Sequence, residues 1–213
     1  MCHRSNPTTL SDLEVKQMCR NVDHLYFEQE IKMENIKFRT ITANDAEALY
    51  RVKIAAFSNE FEQFKYAESN EFFRNILEDI KSENPENPMF TMNWHNWICK
   101  LGDNAFVIED GTKIIGSIFA MPGKHSGCNY SGYDLSQDDI YVIKCVYVLP
   151  EYKNKGVGKA AMEYMESSKP AKKWILDTPD VSIKNKSFYE KCGYKAGEKT
   201  GPNNLFRIFS KGF

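Results

Sequence analysis

The stretch richest in chemistry is Tyr147-Val-Leu-Pro-Glu-Tyr-Lys-Asn-Lys-Gly-Val-Gly-Lys159, where an apolar β-type run ends at a proline, a basic loop follows, and two glycines open a helix. Gly156 and Gly158 permit a tight turn and a close approach to the main chain, and the amides at the start of a helix point back into that turn. A pyrophosphate suits such a place. Successive amides form an anion cradle, the helix dipole favours negative charge, and Lys153, Lys155 and Lys159 add point charges. A glycine pair before a helix also serves a plain tight turn, and both readings stand on these residues alone. Two other phosphate motifs are excluded. There is no GxxxxGK[ST], because Gly123-Lys124 has the wrong spacing, and no GxGxxG, because Ala161 stands three residues after Gly158.

The elements that must position this loop follow from periodicity. Ser11-Asp-Leu-Glu14 fits a capping box, and Val15, Met18, Val22 and Leu25 recur at helical spacing, so a helix is expected over residues 12–32 as an N-terminal extension to a domain spanning 33–213. Ile36 to Ile41 alternates like a strand, and Thr42-Ala-Asn-Asp45 can cap a helix carrying Leu49, Val52 and Ala56. Phe73, Ile76, Leu77 and Ile80 predict a second helix over residues 69–81, ended by Asn84-Pro85 and Asn87-Pro88. Residues 105–109 and 113–120 flank Asp110-Gly111, a hairpin turn pair. A polar loop from Pro122 to Asp138 leads to a strand over 140–148, rich in β-branched and aromatic residues.

After the glycine loop a helix is expected through about Ser167 with Val157, Ala161, Tyr164 and Met165 inward. A short buried strand at 174–178, a short helix at 187–192, and strands at 195–197 and 205–210 complete the chain. Strands in series followed by a strand-helix-strand crossover give an α/β fold, an α+β sandwich.

Composition bounds what such a domain does. The 213 residues are 42% hydrophobic and 27% charged with net charge −1, which argues against a general affinity for nucleic acid or anionic membrane. No run approaches the roughly 18 apolar residues of a membrane span, and no apolar signal segment opens the chain, so a cytoplasmic location is expected. Cys2, Cys19, Cys99, Cys128, Cys145 and Cys192 are scattered and read as reduced thiols. Cys2, His3, Cys19 and His24 lack the short-spaced pairs of a zinc site, so no metal is expected. Asn129-Tyr-Ser131 and Asn185-Lys-Ser187 match the glycosylation pattern, which in the cytoplasm is coincidence.

Lys153-Asn-Lys-Gly156-Val-Gly158 resembles the [QR]xxGx[GA] signature of the GNAT superfamily of N-acetyltransferases, and VYVLPEY resembles the strand that leads into it. Asn185-Lys-Ser-Phe188-Tyr189-Glu-Lys-Cys-Gly193-Tyr194 is similar to the same family's N-x-x-x-x-FY-x-K-x-GF segment, shortened after Asn185. Lys153 replaces the usual Arg or Gln, and Tyr194 the usual Phe; a lysine offers a point charge where arginine offers a fork. The resemblance runs from about Ile36 to Phe213. It implies a mixed, mostly antiparallel sheet of six to seven strands with helices on both faces, and acetyl-CoA as cosubstrate.

In that family the strand before the loop parts from its neighbour, and the pantetheine arm bonds to its exposed backbone. The resemblance therefore assigns the arm to Val146, Tyr147 and Val148, the pyrophosphate to the stretch Asn154, Lys155, Gly156, Val157, Gly158, Lys159 and Ala160, a further arm contact to Asn185, and the proton for the leaving sulfur to Tyr189. A phenol near pKa 10 stays protonated at neutral pH and can donate to a thiolate of pKa about 8.5, although a Phe-Tyr pair on a short helix also packs cores. No general base is assigned. Where many relatives carry a strand glutamate, this chain has Ile143, Lys144 and Cys145, and Asp138, Asp139 and His125 read as surface residues. Cys145 as a nucleophile has no adjacent histidine, so a buried thiol is expected.

The acceptor is expected to be a primary amine of a small molecule or peptide, with Glu60, Phe61, Glu62, Phe64, Tyr66, Tyr130 and Tyr133 near its pocket. The aromatic segment from Met89 to Trp97 lines that pocket or covers the sheet. The other reading from a different class is a catalytically silent acyl-CoA-binding sensor or assembly module. The leader helix is expected to offer a homodimer or partner contact.

Overall fold

The computed structural model describes residues 31–63, 71, 74, 75, 78 and 92–212. Of the leader helix expected over 12–32, only Ile31 and Lys32 are described, and neither is helical. Glu71, Arg74, Asn75 and Glu78 are helical and exposed, as the outer face of the helix expected over 69–81 requires; its apolar positions Phe73, Ile76, Leu77 and Ile80 lie outside the described residues. So do the side chains of Glu60, Phe61, Glu62, Phe64 and Tyr66.

The elements run β1 (Ile36–Thr40), α1 (Ala46–Gln63), α2 (Met92–Ile98), β2 (Ala105–Asp110), β3 (Lys113–Pro122), β4 (Ile140–Val148), α3 (Val157–Ser167), β5 (Lys173–Pro179), α4 (Ile183–Lys191), β6 (Lys195–Thr200) and β7 (Phe206–Gly212). Seven strands form one sheet in the order β1-β2-β3-β4-β5-β7-β6. Every pairing is antiparallel except β4 with β5, the two strands joined through α3. This is the mixed, mostly antiparallel sandwich that the sequence implied.

Two corrections of extent have local causes. The helix expected at 187–192 begins at Ile183, because Ser182 caps it and its first turn is polar, with Ile183 73% exposed, leaving no apolar stripe to read. In α3 the fully buried positions include Met162, whereas Tyr164 is half-buried, stacked on Phe38 at 4.7 Å and edge-on to Phe106 at 4.9 Å.

Alternation along the strands divides the core between two faces. Val107 and Phe119 pack with Leu49, Val52 and Ala56 of α1. Phe106, one residue from Val107, faces α3 instead. Each apolar side chain so buried contributes roughly 1.5–3 kcal/mol, which is what fixes the strands beneath the helices. The α1 face continues past β4 as a second cluster of Ile140, Val142, Ile175 and Ile208 under Tyr130, which the 123–139 loop supplies.

The start of α1 is locked from three sides. Arg39 on β1 grips both carboxylate oxygens of Asp45 at 2.7 Å and donates to Glu109 on β2 at 2.9 Å. Asp45 also accepts from the Thr42 amide at 2.7 Å, completing a capping box.

Candidate active site

The sheet opens where β4 and β5 meet. Their pairing covers only Ile140 with Lys173, Tyr141 with Trp174 and Val142 with Ile175, while β4 stays paired to β3 as far as Val148 opposite Gly116. The register between β3 and β4 jumps from Phe119–Cys145 to Ala120–Ile143, so Lys144 is an extra residue, a bulge that bends β4 at the point of parting. The Leu149 amide donates to the Ile115 carbonyl at 2.8 Å, which sets the alternation above the bulge. Tyr147 and Cys145 turn their backbone groups toward β3, and those of Val146 and Val148 look into the gap. Of the three strand residues expected at the cofactor, Tyr147 thus presents a buried side chain to the α1 cluster rather than free main chain.

The loop above the gap takes a shape that glycine makes possible. Asn154 has φ +63° and Gly156 φ +86°, two left-handed residues within three positions, an arrangement that turns successive amides toward one side. The first helical bond of α3 runs from the Ala160 amide to the Gly156 carbonyl at 3.0 Å, so the amides of Val157, Gly158 and Lys159 precede the ladder and face the loop. Lys155 and Lys159 are exposed, Lys159 near Glu163 at 3.7 Å. Lys153 instead donates to the Ala56 carbonyl at 3.3 Å and ties the loop to α1.

The two sequence motifs touch. A Cβ added to Gly158 would lie 3.3 Å from two ring carbons of Phe188, so α4 packs directly on the first turn of α3. Ser182 accepts from the Asn185 amide at 3.3 Å, and the Asn185 side chain donates to the Thr178 hydroxyl of β5 at 3.2 Å, which sets Asn185 beside the free stretch of that strand. Tyr189 is half-buried, its ring 5.1 Å from Phe188 and 5.7 Å from Phe209. Tyr194 is an anchor: its buried hydroxyl donates to Glu166 at 2.8 Å, and Lys211 meets the same carboxylate at 2.6 Å.

The α1 face of the gap holds groups that sequence reasoning passed over. Asp177 follows Ile175 by two residues and so looks out on the face of Tyr130, just past the last β4–β5 pair. The nearby Tyr130 hydroxyl and the charge of Lys144 both favour its ionised form. Lys144 reaches from the bulge to the Ser126 carbonyl at 3.1 Å and the Cys128 sulfur at 3.0 Å. Solvent reaches the Asp177 side chain, yet burial is the largest influence on its pKa and carries it above the usual carboxylate range, the combination expected of a group on the wall of a cleft. The signal was present in WILDT, where one acid interrupts an apolar strand.

The other groups weighed for chemistry lie elsewhere. Asp138 pairs with Lys124 at 2.6 Å and Asp139 with Lys172 at 2.9 Å, both on the surface, and His125 is exposed. Burial pushes the Cys145 thiol up, which keeps it protonated and a poor nucleophile. The described part of the aromatic segment is α2, whose Trp94 and Trp97 rings stand edge-on to Phe119 at 5.5 and 6.5 Å. Lys53 of α1 lies fully buried with Nζ 3.1 Å from the Trp94 ring centre, and burial brings its pKa down to about 8. Among the described residues no cluster of three or more His, Cys, Asp or Glu could hold a metal ion, and no helix is long and apolar enough to cross a membrane.

Solved structures with a similar architecture include acetyltransferases. An acetyltransferase from Thermus thermophilus shares 13% identity and a TM-score of 0.55 over 87% of this chain and 100% of its own. The PaiA N-acetyltransferase from Thermoplasma acidophilum, solved with coenzyme A, shares 19% and 0.53 over 84% and 99%. The diaminobutyrate acetyltransferase EctA from Paenibacillus lautus, solved with its substrate and coenzyme A, shares 10% and 0.52 over 83% and 94%. At these identities the likeness is one of fold. Among curated proteins nothing matches. Residues 102–196, from the turn before β2 into β6, match the family model described as an acetyltransferase (GNAT) domain. Over that segment, and in the fold of the whole described sheet, the chain is similar to GNAT acetyltransferases.

Proposed function

We propose that this protein is an N-acetyltransferase that moves an acetyl group from acetyl-CoA to a primary amine of a small molecule or peptide by direct attack. The observation that carries the reading is the parting of β4 from β5 after Val142 and Ile175, directly below the left-handed turn at Gly156. The residues present fit the coenzyme. Val146 and Val148 offer main-chain partners for an extended arm, and Asn185 of α4, bonded to Thr178, stands beside it. The amides from Asn154 to Ala160 suit the pyrophosphate, with Lys155 and Lys159 at the rim and Lys153 bracing the loop against α1. Tyr147 walls the gap with its buried ring.

When bound, acetyl-CoA supplies a thioester whose sulfur can leave with the bonding pair. Tyr189 holds the proton that this sulfur requires, since a phenol stays protonated at neutral pH. The gap between the strands excludes bulk water from one side of the reacting carbonyl, and a main-chain amide aimed there stabilises the negative charge that develops.

Titrating acetyl-CoA while following thermal unfolding tests the binding half, because a ligand that binds only the folded state raises the melting temperature. Release of free thiol across a panel of amines tests the transfer half. Tyr189→Phe is expected to lower kcat by about 100-fold while the acetyl-CoA melting shift persists. An unchanged rate would remove Tyr189 as the acid. A melting shift with no acetylation of any amine would turn the reading toward a silent acyl-CoA-binding module.

A further inference from the structure

We propose that Asp177 is the general base, receiving the proton that the acceptor amine gives up. The inference rests on the transferase reading above and adds the group that the strand sequence Ile143-Lys-Cys145 does not provide. Its basis is the placement of Asp177 and Tyr189 on opposite sides of one opening. Tyr189 packs on Phe209, which pairs with Leu176 and so belongs to the α3 and α4 face of the sheet. Asp177 is the next residue along β5 and points the other way, toward the face of α1 and the 123–139 loop. A thioester lodged between the parted strands has its sulfur side toward α4 and its open side toward Asp177. An amine arriving over the α1 face passes that carboxylate.

Asp177 also has polar company: the Tyr130 hydroxyl and the Lys144 ammonium act on its carboxyl, and Lys144 is held from the bulge in β4 at the Cys128 sulfur, 3.0 Å away. Tyr130 and Lys144 are the groups that oppose burial at this carboxyl: both favour its ionised form. On its own face of the sheet Asp177 has Ile208 opposite on β7 and Ile175 two residues back along the strand. A carboxylate of raised pKa is a better proton acceptor than one on the surface.

The step balances as follows. The amine nitrogen forms a bond to the acetyl carbon, the carbon–sulfur bond breaks with its pair remaining on sulfur, and the nitrogen's proton passes to Asp177. The sulfur takes the Tyr189 proton, and one proton then passes through water from the Asp177 carboxylic acid to the Tyr189 phenolate, restoring the carboxylate and the phenol. No oxidant, reductant or metal is needed.

The experiment compares wild type, Asp177→Asn and Tyr130→Phe in three readouts: the acetyl-CoA melting shift, the pH profile of kcat/KM, and the carboxyl carbon resonance of Asp177 titrated without ligand. Asp177→Asn is expected to keep the melting shift, lose about 100-fold or more in kcat, and lose the acid limb of the profile. Tyr130→Phe removes a hydroxyl that favours the ionised form, so the Asp177 carboxyl titrates at higher pH and the acid limb moves up by the same amount. An Asp177→Asn enzyme within about threefold of wild type, or an acid limb that moves without the carboxyl resonance, overturns the assignment. Absence of any acetyl-CoA shift in wild type removes the transferase reading itself, a separate failure.

Discussion

Asp45 stands at the start of α1 and Asp177 on β5, and their carboxyl groups are driven in opposite directions. At Asp45 burial raises the pKa, but the Arg39 fork and the Thr42 amide and hydroxyl outweigh it and hold the group below the usual range. At Asp177 burial again comes first, and Tyr130 and Lys144 fail to offset it. The difference follows from strand pairing. Where β1 and β2 run fully paired, Arg39 is fixed over Asp45 with ideal two-pronged geometry. Where β4 leaves β5, no strand neighbour brings a matched counter-charge, and the carboxyl keeps proton affinity. A carboxyl that is fully answered holds structure; one that is only half answered remains available for proton transfer.

That contrast can be broken most directly at its stable end. Arg39→Ala should cost about 2–3 kcal/mol, measured as a lower urea midpoint, because it strands a buried carboxylate while part of the arginine was already solvated. Asp177→Asn should cost no stability at neutral pH: a raised folded pKa means that the ionised group opposes folding above its unfolded pKa. If the two substitutions cost alike, the distinction between the regions fails.

A second test sits at the loop. Gly156→Ala forces a Cβ into a left-handed residue and should lose about 1–2 kcal/mol, with a larger proportional loss in acetyl-CoA affinity than in melting temperature. Equal binding by this variant would separate the turn from the coenzyme.

The smallest effect concerns Asp180, whose pKa is brought down to about 2 by its bond to Arg207 at 2.6 Å, with help from Lys199 at 2.9 Å. A depressed folded value gives stability that is present above the unfolded pKa and lost as pH falls toward 2. The expected contribution is about 1 kcal/mol after allowing for solvent screening. Acid unfolding of Asp180→Asn, compared with wild type between pH 5 and 2, should show this portion of the slope missing.

Much of this molecule was legible from residue order. The hairpin at Asp110-Gly111, the strand run into Val148, and the glycine turn are local features, each written in a few neighbouring side chains, and each stands where periodicity placed it. What escaped was relational. Insertion of β7 between β5 and β6 depends on pairings such as Asp177–Ile208, far apart in the chain. Lys153 looked like a loop charge until α1 was found to offer it a carbonyl. Asp177 read as part of a buried strand, because nothing in WILDT reveals that its neighbour strand stops two residues earlier. Tyr194, read within a motif, proved to be tied to Glu166.

Lys144 has one more consequence, for how sequence letters map onto the two surfaces of β4. Val142 and Cys145 point the same way although three positions separate them, because the unmatched residue between them resets the odd-even rule. Deleting that single position would leave Ile143 opposite Ala120 and Cys145 opposite Phe119, so the same side chains would stay inward while the bulge, and the bend it puts into β4, would be lost. One lysine therefore keeps the bend of this strand rather than its pairing frame, and a variant one residue shorter there would hold the same faces along a straighter edge beside the coenzyme.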